Sequence, residues 1–394
     1  MHLLDILTWA AVAVLAHVYV GYPALVAALA RLRRRPAARG AGTPFVSLVI
    51  AAYQEESVIR DKIENSLQLD YPRQRLEILV VTDGSTDATP RLVAEYADRG
   101  VVLLHEPERR GKSAALDRAV ERARGEVLLF SDANALYRPD AVRKLVRNFA
   151  DPAVGGVSGR KTVVGSGGGV AASEGAYWRY ESAIKRHESA IGSTLAVVGE
   201  MLALRRRLFE PIPAHIINDD AYLALRLLRA GHRVLYEPEA MSWEAGAVSV
   251  HEEAVRRRRI AAGRYQVLFS PRSLWPWRHP WALFQLVSHK LLRLLLPFFM
   301  LAALAGSAAL VALGPRPAST GLLVGQLAFY ALAAAGWLAE RAGWRAGPPA
   351  LAYYVVRSNL AALQALAGYL GGTQTVLWTR ARRGPSPEPP LHIP

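Results

Sequence analysis

The sequence predicts an α/β domain with a mainly parallel sheet, joined to a helical transmembrane region. Two observations lead to this fold class. Between residues 46 and 130, short apolar runs alternate with segments of helical periodicity, which is typical of a parallel sheet with crossover helices. Long apolar stretches stand on both sides of this region, and several of them have the length needed to cross a bilayer.

The N-terminal segment, residues 1–35, is predicted to be an uncleaved membrane anchor. Residues 3–30 are almost wholly apolar, and four arginines follow between positions 31 and 35. A cleaved signal peptide carries its positive charge before a shorter apolar core, whereas here the charge comes after the core. By the positive-inside rule, the N-terminus lies outside the cell (inner) membrane and the residues after 35 lie in the cytoplasm.

A linker at 36–45 precedes the predicted catalytic domain, residues 46–270. Its first part is predicted to contain strands at 46–52, 76–81, 101–105 and 127–130, and helices at 56–68, 89–99 and 112–122. In such a sheet the loops at the carboxyl ends of the strands form the functional site.

The C-terminal region is predicted to return to the membrane and to make the chain multi-pass. Residues 278–296 mix polar and apolar side chains, which favours a helix lying in the interface, and residues 297–340 read as two spans. Residues 350–378 suit either an amphipathic helix on the cytoplasmic face or a further span. The first interpretation is favoured, because it keeps the arginines of the Pro-rich tail at 379–394 inside.

Charge and composition limit the partners. The chain carries a formal net charge of +15, is 52% hydrophobic and has no cysteine. Disulfides, thiolate metal sites and cysteine nucleophiles are therefore excluded. The arginine runs lie beside apolar stretches, which favours membrane lipids as the anionic partner. Nucleic acid is not expected, because no basic surface with interleaved aromatic residues is apparent.

Carboxylates follow two of the predicted strands. Asp83 ends the second strand and opens the turn at residues 84–87, and a turn alone would explain it. No turn requires the matching carboxylate Asp132 at the end of a later strand. Asp132 and Asn134, two residues apart, would present oxygen ligands on one side of an extended segment. A divalent cation held there would neutralise a diphosphate leaving group.

A further acidic pair and two basic segments are candidates for the same site. Asp219 and Asp220 precede a leucine-rich helix; a helix cap explains one of them, and the other could act as a general base toward a sugar hydroxyl. Lys112 follows Gly111, but a phosphate-loop motif needs a glycine where this chain has Glu106. Lys112 either contacts a phosphate or starts a solvated helix. Residues 256–259 form an arginine run that is either a solvated helix face or a diphosphate clamp.

In combination, these motifs resemble those of the membrane-embedded family 2 glycosyltransferases, which include cellulose, chitin, hyaluronan and poly-N-acetylglucosamine synthases. The resemblance covers about residues 46–266. It rests on an opening strand that ends in Tyr-Gln-Glu at 53–55, then DGSTD, GK..AL, SDAN, ALRR at 203–206, and DD..L.LRLLRAG.

The resemblance implies a GT-A (Rossmann-like) fold for the cytosolic catalytic domain, inversion at the anomeric carbon and a UDP-sugar donor. It assigns the nucleotide to Ala52, Glu55, Asp83, Lys112 and Asp132. Mg²⁺ or Mn²⁺ would be held by Asp132 and Asn134, and Asp220 would be the catalytic base. The residues expected to face the acceptor or the diphosphate are Glu200, Asp219, Arg256 and Arg259.

Because of two departures from the family pattern, the resemblance does not assign processive polymerisation to this chain. Asn134 stands where many members have aspartate, and of the Gln-x-x-Arg-Trp motif of processive members only Arg259 has a counterpart. We therefore expect transfer from a UDP-sugar to a lipid-linked or saccharide acceptor at the cytoplasmic membrane face. A processive polysaccharide synthase and a catalytically silent nucleotide-binding regulator are the alternatives. Assembly as a homo-oligomer or with an export partner is left open.

Overall fold

A computed structural model describes residues 2–164, 169–245, 250–344 and 347–372 of the chain. The basic tail predicted at 379–394, and residues 373–378 of the segment before it, lie outside the described residues.

Eight strands and fourteen α-helices make up the described part of the chain. The strands are β1 Val46–Ala52, β2 Leu76–Asp83, β3 Val101–Glu106, β4 Val127–Asp132, β5 Leu136–Tyr137, β6 Val154–Val164, β7 Leu202–Arg205 and β8 Arg233–Ala245. The helices are α1 His2–Ala16, α2 Tyr22–Leu32, α3 Ile59–Leu67, α4 Thr89–Ala94, α5 Lys112–Arg122, α6 Ala141–Val146, α7 Gly169–Ile191, α8 Asp219–Arg229, α9 Val250–Phe269, α10 Pro271–Leu274, α11 Pro280–Gln285, α12 Leu292–Leu313, α13 Pro317–Arg341 and α14 Gly347–Leu370.

The strands form one sheet in the order β3-β2-β1-β4-β7-β6-β8-β5. Strands β3, β2, β1 and β4 are parallel neighbours, which confirms the parallel half that the sequence predicts. In the second half β7 runs antiparallel to both β4 and β6, whereas β6 and β8 are parallel. The sheet is therefore mixed, and its parallel half aligns the carboxyl ends of β1, β2 and β4 along one edge.

The central strands are buried on both faces. Every residue of β1 and of β2 is buried, as expected for apolar strands between two layers of helices. On one face Ile59 and Ile63 of α3 join the core, and on the other face Leu116 of α5 does so. Helix α5 has the predicted bounds, whereas α3 begins three residues later than the pattern indicates, after a turn in which Gln54 has a φ of 57°.

Within the part of the chain that the structure describes, three helical runs are long and apolar enough to cross a membrane: His2–Leu32, Pro280–Leu313 and Pro317–Arg341. The second run joins the segment predicted to lie in the interface to the span that follows it. Each of the first two runs contains a π-helical turn, at His17–Gly21 and at Leu286–Leu291, and the two turns meet where His17 Nε2 lies 3.1 Å from Ser288 Oγ. Helix α14 packs against α13 and α9.

The first and second runs approach closely at Gly306. A Cβ atom at Gly306 would lie 2.1 Å from the Oγ1 of Thr8 on α1, so a larger residue would separate the helices. The Thr8 hydroxyl donates to the Leu4 carbonyl at 2.7 Å and thereby has its polar group satisfied inside an apolar interface. Small residues at such contacts are the usual means of packing helices in a bilayer.

A buried ionic cluster joins the catalytic domain to the apolar runs; we call it the junction network. His289, in the second π-helical turn, has its two ring nitrogens 3.0 Å from Glu181 Oε1 and 2.7 Å from Glu188 Oε1, both on α7. His289 therefore bridges the two glutamates. Lys290 and Arg293 also contact Glu181, at 2.9 and 2.7 Å.

The junction network also reaches the N-terminal run. The Tyr22 hydroxyl, at the start of α2, donates to Glu188, and so does the hydroxyl of Thr194, at 2.6 Å. Burial alone would raise the pKa of Glu181, but Lys290, Arg293 and His289 hold that pKa well below its usual range. Charged groups buried in this way are stable only when each has a partner, so the network fixes how α7 sits against both runs.

Replacing Glu181 tests the junction network. Glu181→Gln leaves Lys290, Arg293 and His289 with one carboxylate fewer, and we expect the free energy of unfolding in detergent to fall by about 3–5 kcal/mol. Glu239→Gln is the matched control, because Glu239 also contacts cations, among them Lys144 and Arg147, but is 47% exposed. Its cost should stay below about 1 kcal/mol. Equal thermal stability of the two variants would contradict this account.

Candidate active site

The aligned strand ends bring two of the predicted carboxylates to one edge. In the sheet register Ala51 of β1 lies opposite Asp132 of β4, and Ala52 lies opposite Thr82 of β2, the residue before Asp83. The structure thus places Ala52, Asp83 and Asp132 together at the carboxyl ends of neighbouring parallel strands. This is the edge of an open α/β sheet at which ligands bind.

Asp83 fixes the loop that leads into α5. Its carboxylate is fully buried and accepts hydrogen bonds from the backbone N–H groups of Arg110, at 3.0 Å, and Gly111, at 2.7 Å. Gly84 has a φ of 68°, and a Cβ atom there would lie 2.6 Å from Arg109 Cβ, so the turn after Asp83 needs glycine. Asp83 therefore positions the residues that start α5. Its contact with the nucleoside stays a prediction.

The turn after β1 packs against the segment that follows β2. The backbone N–H of Glu55 donates to Thr89 Oγ1 at 2.9 Å, and that of Gln54 donates to Ser85 Oγ at 3.1 Å. The guanidinium of Arg109 stacks on the ring of Tyr53, 3.8 Å from its centroid. Sequence reasoning did not identify Arg109, since nothing in the pattern indicates which residue of the next loop reaches Tyr53.

Lys112 connects the acidic clusters. Its ammonium lies 2.7 Å from Asp132 Oδ1 and 3.5 Å from Asp219 Oδ2. Burial alone would lower the pKa of Lys112, but Asp132 and Asp219 raise it above its usual value. The lysine is therefore a paired positive charge between the end of β4 and the start of α8, rather than the solvated helix-start residue of the alternative interpretation.

A small cavity, partly open to solvent, adjoins Lys112. Arg110, Lys112 and Arg259 contribute three positive charges to its lining, and Asp219 contributes one negative charge. The start of α5 also faces it, with the backbone N–H groups that a helix leaves without intrahelical partners. This combination favours an anionic ligand such as a diphosphate.

Asp220 lies in the first turn of α8, beside Asp219. It is half-buried, its Oδ1 accepts from the Ala221 N–H at 2.7 Å, and a Cβ atom at Gly199 would lie 3.3 Å from Asp220 Cβ. Burial, followed by the neighbouring charge of Asp219, raises the pKa of Asp220 above its ordinary value. A carboxylate with a raised pKa is a stronger base than an exposed one, which suits proton abstraction.

The remaining predicted residues belong to a second ionic cluster, which we call the β8 cluster. Glu244, at the end of β8, contacts the Lys161 ammonium, lies 3.1 Å from Arg256 Nη1 and accepts from Asn134 Nδ2 at 3.3 Å. Lys161 also lies 3.2 Å from Glu200.

The β8 cluster sets the ionisation of Glu200 and includes two residues that the sequence did not point to. Burial, together with Glu244 and Asp132, raises the pKa of Glu200 to about 7, although Lys161 opposes the shift. Lys161 and Glu244 were missed because they lie on β6 and β8, far apart in the chain and in no recognisable motif. Strand pairing alone brings them together.

The residues present suit a divalent cation that is shared with a ligand. Asp132 offers carboxylate oxygen and Asn134 offers amide oxygen, the hard ligands that Mg²⁺ and Mn²⁺ prefer. Within the described ranges no group of three or more His, Cys, Asp or Glu residues could hold a metal ion. The protein alone therefore supplies only part of a coordination sphere, and phosphate oxygens and water would have to complete it.

The sheet topology and the carboxylates at the ends of β2 and β4 define a glycosyltransferase of the GT-A type. Residues 47–212 match the profile described as "Glycosyl transferase family 2", and the domain belongs to that family. Among solved structures, the chain is similar to the mannosyltransferase PcManGT from Pyrobaculum calidifontis in complex with GDP-Man and Mn²⁺. The identity is 26%, the TM-score is 0.71, and the match covers 93% of this chain and 100% of that one.

Curated relatives match over shorter segments. The β-monoglucosyldiacylglycerol synthase of Nostoc sp. is 33% identical over 165 residues, which is 41% of this chain and 35% of that protein. The poly-β-1,6-N-acetyl-D-glucosamine synthase of Staphylococcus aureus is 24% identical over 229 residues, 57% of this chain and 55% of that protein. The chain thus spans between about a third and about half the length of these two relatives.

Proposed function

We propose that this glycosyltransferase moves a sugar from a nucleoside diphosphate sugar to a hydroxyl group of a lipid-linked or saccharide acceptor at the cytoplasmic face of the membrane. The observation that carries the proposal is the meeting of Asp132, Lys112 and Asp219 at one edge of the sheet, with Asp220 next to Asp219 in the chain. Sugar transfer requires a diphosphate site and a base, and the candidates for both lie at the edge of the sheet where a nucleotide would bind.

The proposed reaction is a single displacement. The Asp220 carboxylate takes the proton of the acceptor hydroxyl, and the oxygen forms a bond to the anomeric carbon from the face opposite the diphosphate. The bond from that carbon to the diphosphate oxygen breaks, and the nucleoside diphosphate leaves with the electron pair. Lys112 and Arg259 stabilise the charge that develops on the leaving group. A divalent cation held by Asp132 and Asn134 would supply further charge neutralisation.

The apolar runs support the proposed membrane location. If the N-terminus is outside and the runs His2–Leu32, Pro280–Leu313 and Pro317–Arg341 all span the cell membrane, the catalytic domain and the start of α14 lie on the cytoplasmic side. Helix α9, which carries Arg256 and Arg259, packs against α14, and α7 packs against α2. An acceptor anchored in the membrane would therefore reach the site from the side of α9 and α14.

Two nucleobases, uracil and guanine, are candidates for the sugar donor. The sequence resemblance implies a UDP-sugar, whereas the similarity to PcManGT, whose structure contains GDP-Man, favours a GDP-sugar. Purified protein incubated with UDP-sugars and with GDP-Man, together with Mg²⁺ or Mn²⁺, should release nucleoside diphosphate from one base class only. Product size then separates addition of a single sugar, which we expect, from long chains, which would support a processive synthase. Release from no donor would favour the silent regulator.

Removal of the base gives the sharpest mutational test. Asp220→Asn should lower sugar transfer by about 10²–10⁴-fold, because the amide cannot accept the hydroxyl proton. Binding of the nucleoside diphosphate, measured by calorimetry, should stay within about threefold of wild type, since Asp220 does not contact Lys112 or Asp132 in the proposed role. Asp140→Asn is the control, because Asp140 stands immediately before α6, away from the site, and pairs with Arg138. Retained transfer in Asp220→Asn would overturn the assignment of the base.

A further inference from the structure

The Lys112 ammonium occupies the position beside the Asp132 carboxylate that a divalent cation would need. The ammonium lies 2.7 Å from Asp132 Oδ1 and also contacts Asp219 at 3.5 Å. Both carboxylates are mostly buried, at 34% and 13% exposure, and the lysine side chain is 14% exposed. Lys112 is thus the counter-ion that allows Asp132 and Asp219 to face the same space.

Apart from Asp132, the SDAN motif contains no carboxylate that could bind a cation. Asn134 is neutral, and its Nδ2 donates to Glu244 at 3.3 Å. Glu244 is itself held by Lys161 and by Arg256. Asp132 is therefore the carboxylate that the cation and the ammonium must share, and two positive charges cannot share it without mutual repulsion.

The Lys112 side chain also borders the space that a diphosphate would enter. It lines the cavity together with Arg110 and Arg259, and it is the first residue of α5. A diphosphate in this cavity would attract the ammonium by charge, and lysine has a long side chain that can reorient without movement of the backbone. The backbone itself is held in place, because Asp83 binds the N–H groups of Arg110 and Gly111.

We propose that Lys112 makes cation binding conditional on the nucleoside diphosphate. Without nucleotide, the ammonium neutralises Asp132 and Asp219 and excludes the cation. When the diphosphate enters, Lys112 moves its charge to the phosphate oxygens, and Asp132 becomes a cation ligand. Cation and nucleotide therefore bind together and leave together. This inference rests on the proposed function only for the diphosphate that enters the cavity.

The test is Mn²⁺ binding to the full chain in detergent, followed by the paramagnetic resonance signal of unbound Mn²⁺. Wild type should bind Mn²⁺ alone weakly, and at least about tenfold more tightly with whichever of UDP and GDP binds. Lys112→Gln removes the competing charge and should tighten the binding of Mn²⁺ alone by about tenfold. The gain that the nucleotide brings should then shrink by a similar factor.

Two controls identify the charge at position 112 as the cause. Lys112→Arg keeps the positive charge and should bind Mn²⁺ alone as weakly as wild type. Lys144→Gln removes a lysine of α6 that lies outside the site and pairs with Glu239 at 2.8 Å. This variant should leave Mn²⁺ binding unchanged. The inference is overturned if Lys112→Gln binds Mn²⁺ alone no more tightly than wild type. If that variant does not fold, equally tight Mn²⁺ binding by wild type with and without nucleotide overturns it as well.

The outcome is separate from that of the proposed function, because no turnover is needed. If wild type transfers sugar but binds Mn²⁺ equally tightly with and without nucleotide, only the role proposed for Lys112 is contradicted. The expected Mn²⁺ pattern in a protein that transfers no sugar from any donor would instead remove the proposed function and leave the coupling in place.

Discussion

The ion pairs of Lys112 with Asp132 and Asp219 are the interaction on which the site depends. Strand β4 ends in one of these carboxylates and helix α8 begins with the other, so the parallel strand edge and the helix meet only if their charges are neutralised. The ammonium can stand between them because α5 starts at Lys112. That start is in turn fixed by Asp83, whose carboxylate holds the preceding loop. Strand β4, helix α5 and helix α8 are distant in sequence and are joined by these ion pairs. They meet at a site that also suits a diphosphate sugar.

Buried charge continues from this site toward the membrane. The β8 cluster joins Asn134 to Arg256 of α9 through Glu244, and Lys161 of this cluster lies 5.8 Å from the ring of Trp178 on α7. The same helix carries the two glutamates of the junction network. The buried carboxylates in these clusters have hydrogen-bonding or ionic partners, which is the condition under which such groups are tolerated. The active site is therefore held at a fixed position relative to the apolar runs, which would suit the membrane-anchored acceptor that we propose.

Much of this arrangement could be predicted from the sequence, because its signals are local. The apolar runs of β1, β2 and β4, the glycine before α5 and the acids at the strand ends are each visible within a few residues. The β8 cluster could not be predicted, since Lys161 and Glu244 meet only through the pairing of β6 with β8. The junction network could not be predicted either: the polar residues at 289–293 read as an interfacial face, whereas their partners lie on α7, about a hundred residues earlier. Asp83 is predicted from its motif to contact the nucleoside, but its use as the anchor of a loop depends on backbone N–H groups that no motif reveals.

The central claim is that one displacement, with Asp220 as base, transfers the sugar. The most direct measurement is the anomeric configuration of the first product, determined by proton NMR on the enzyme with its active donor. Attack from the face opposite the diphosphate inverts the centre, so an α-linked nucleotide sugar must give a β-linked product. A product that retains the donor configuration would require a second displacement and would contradict the account.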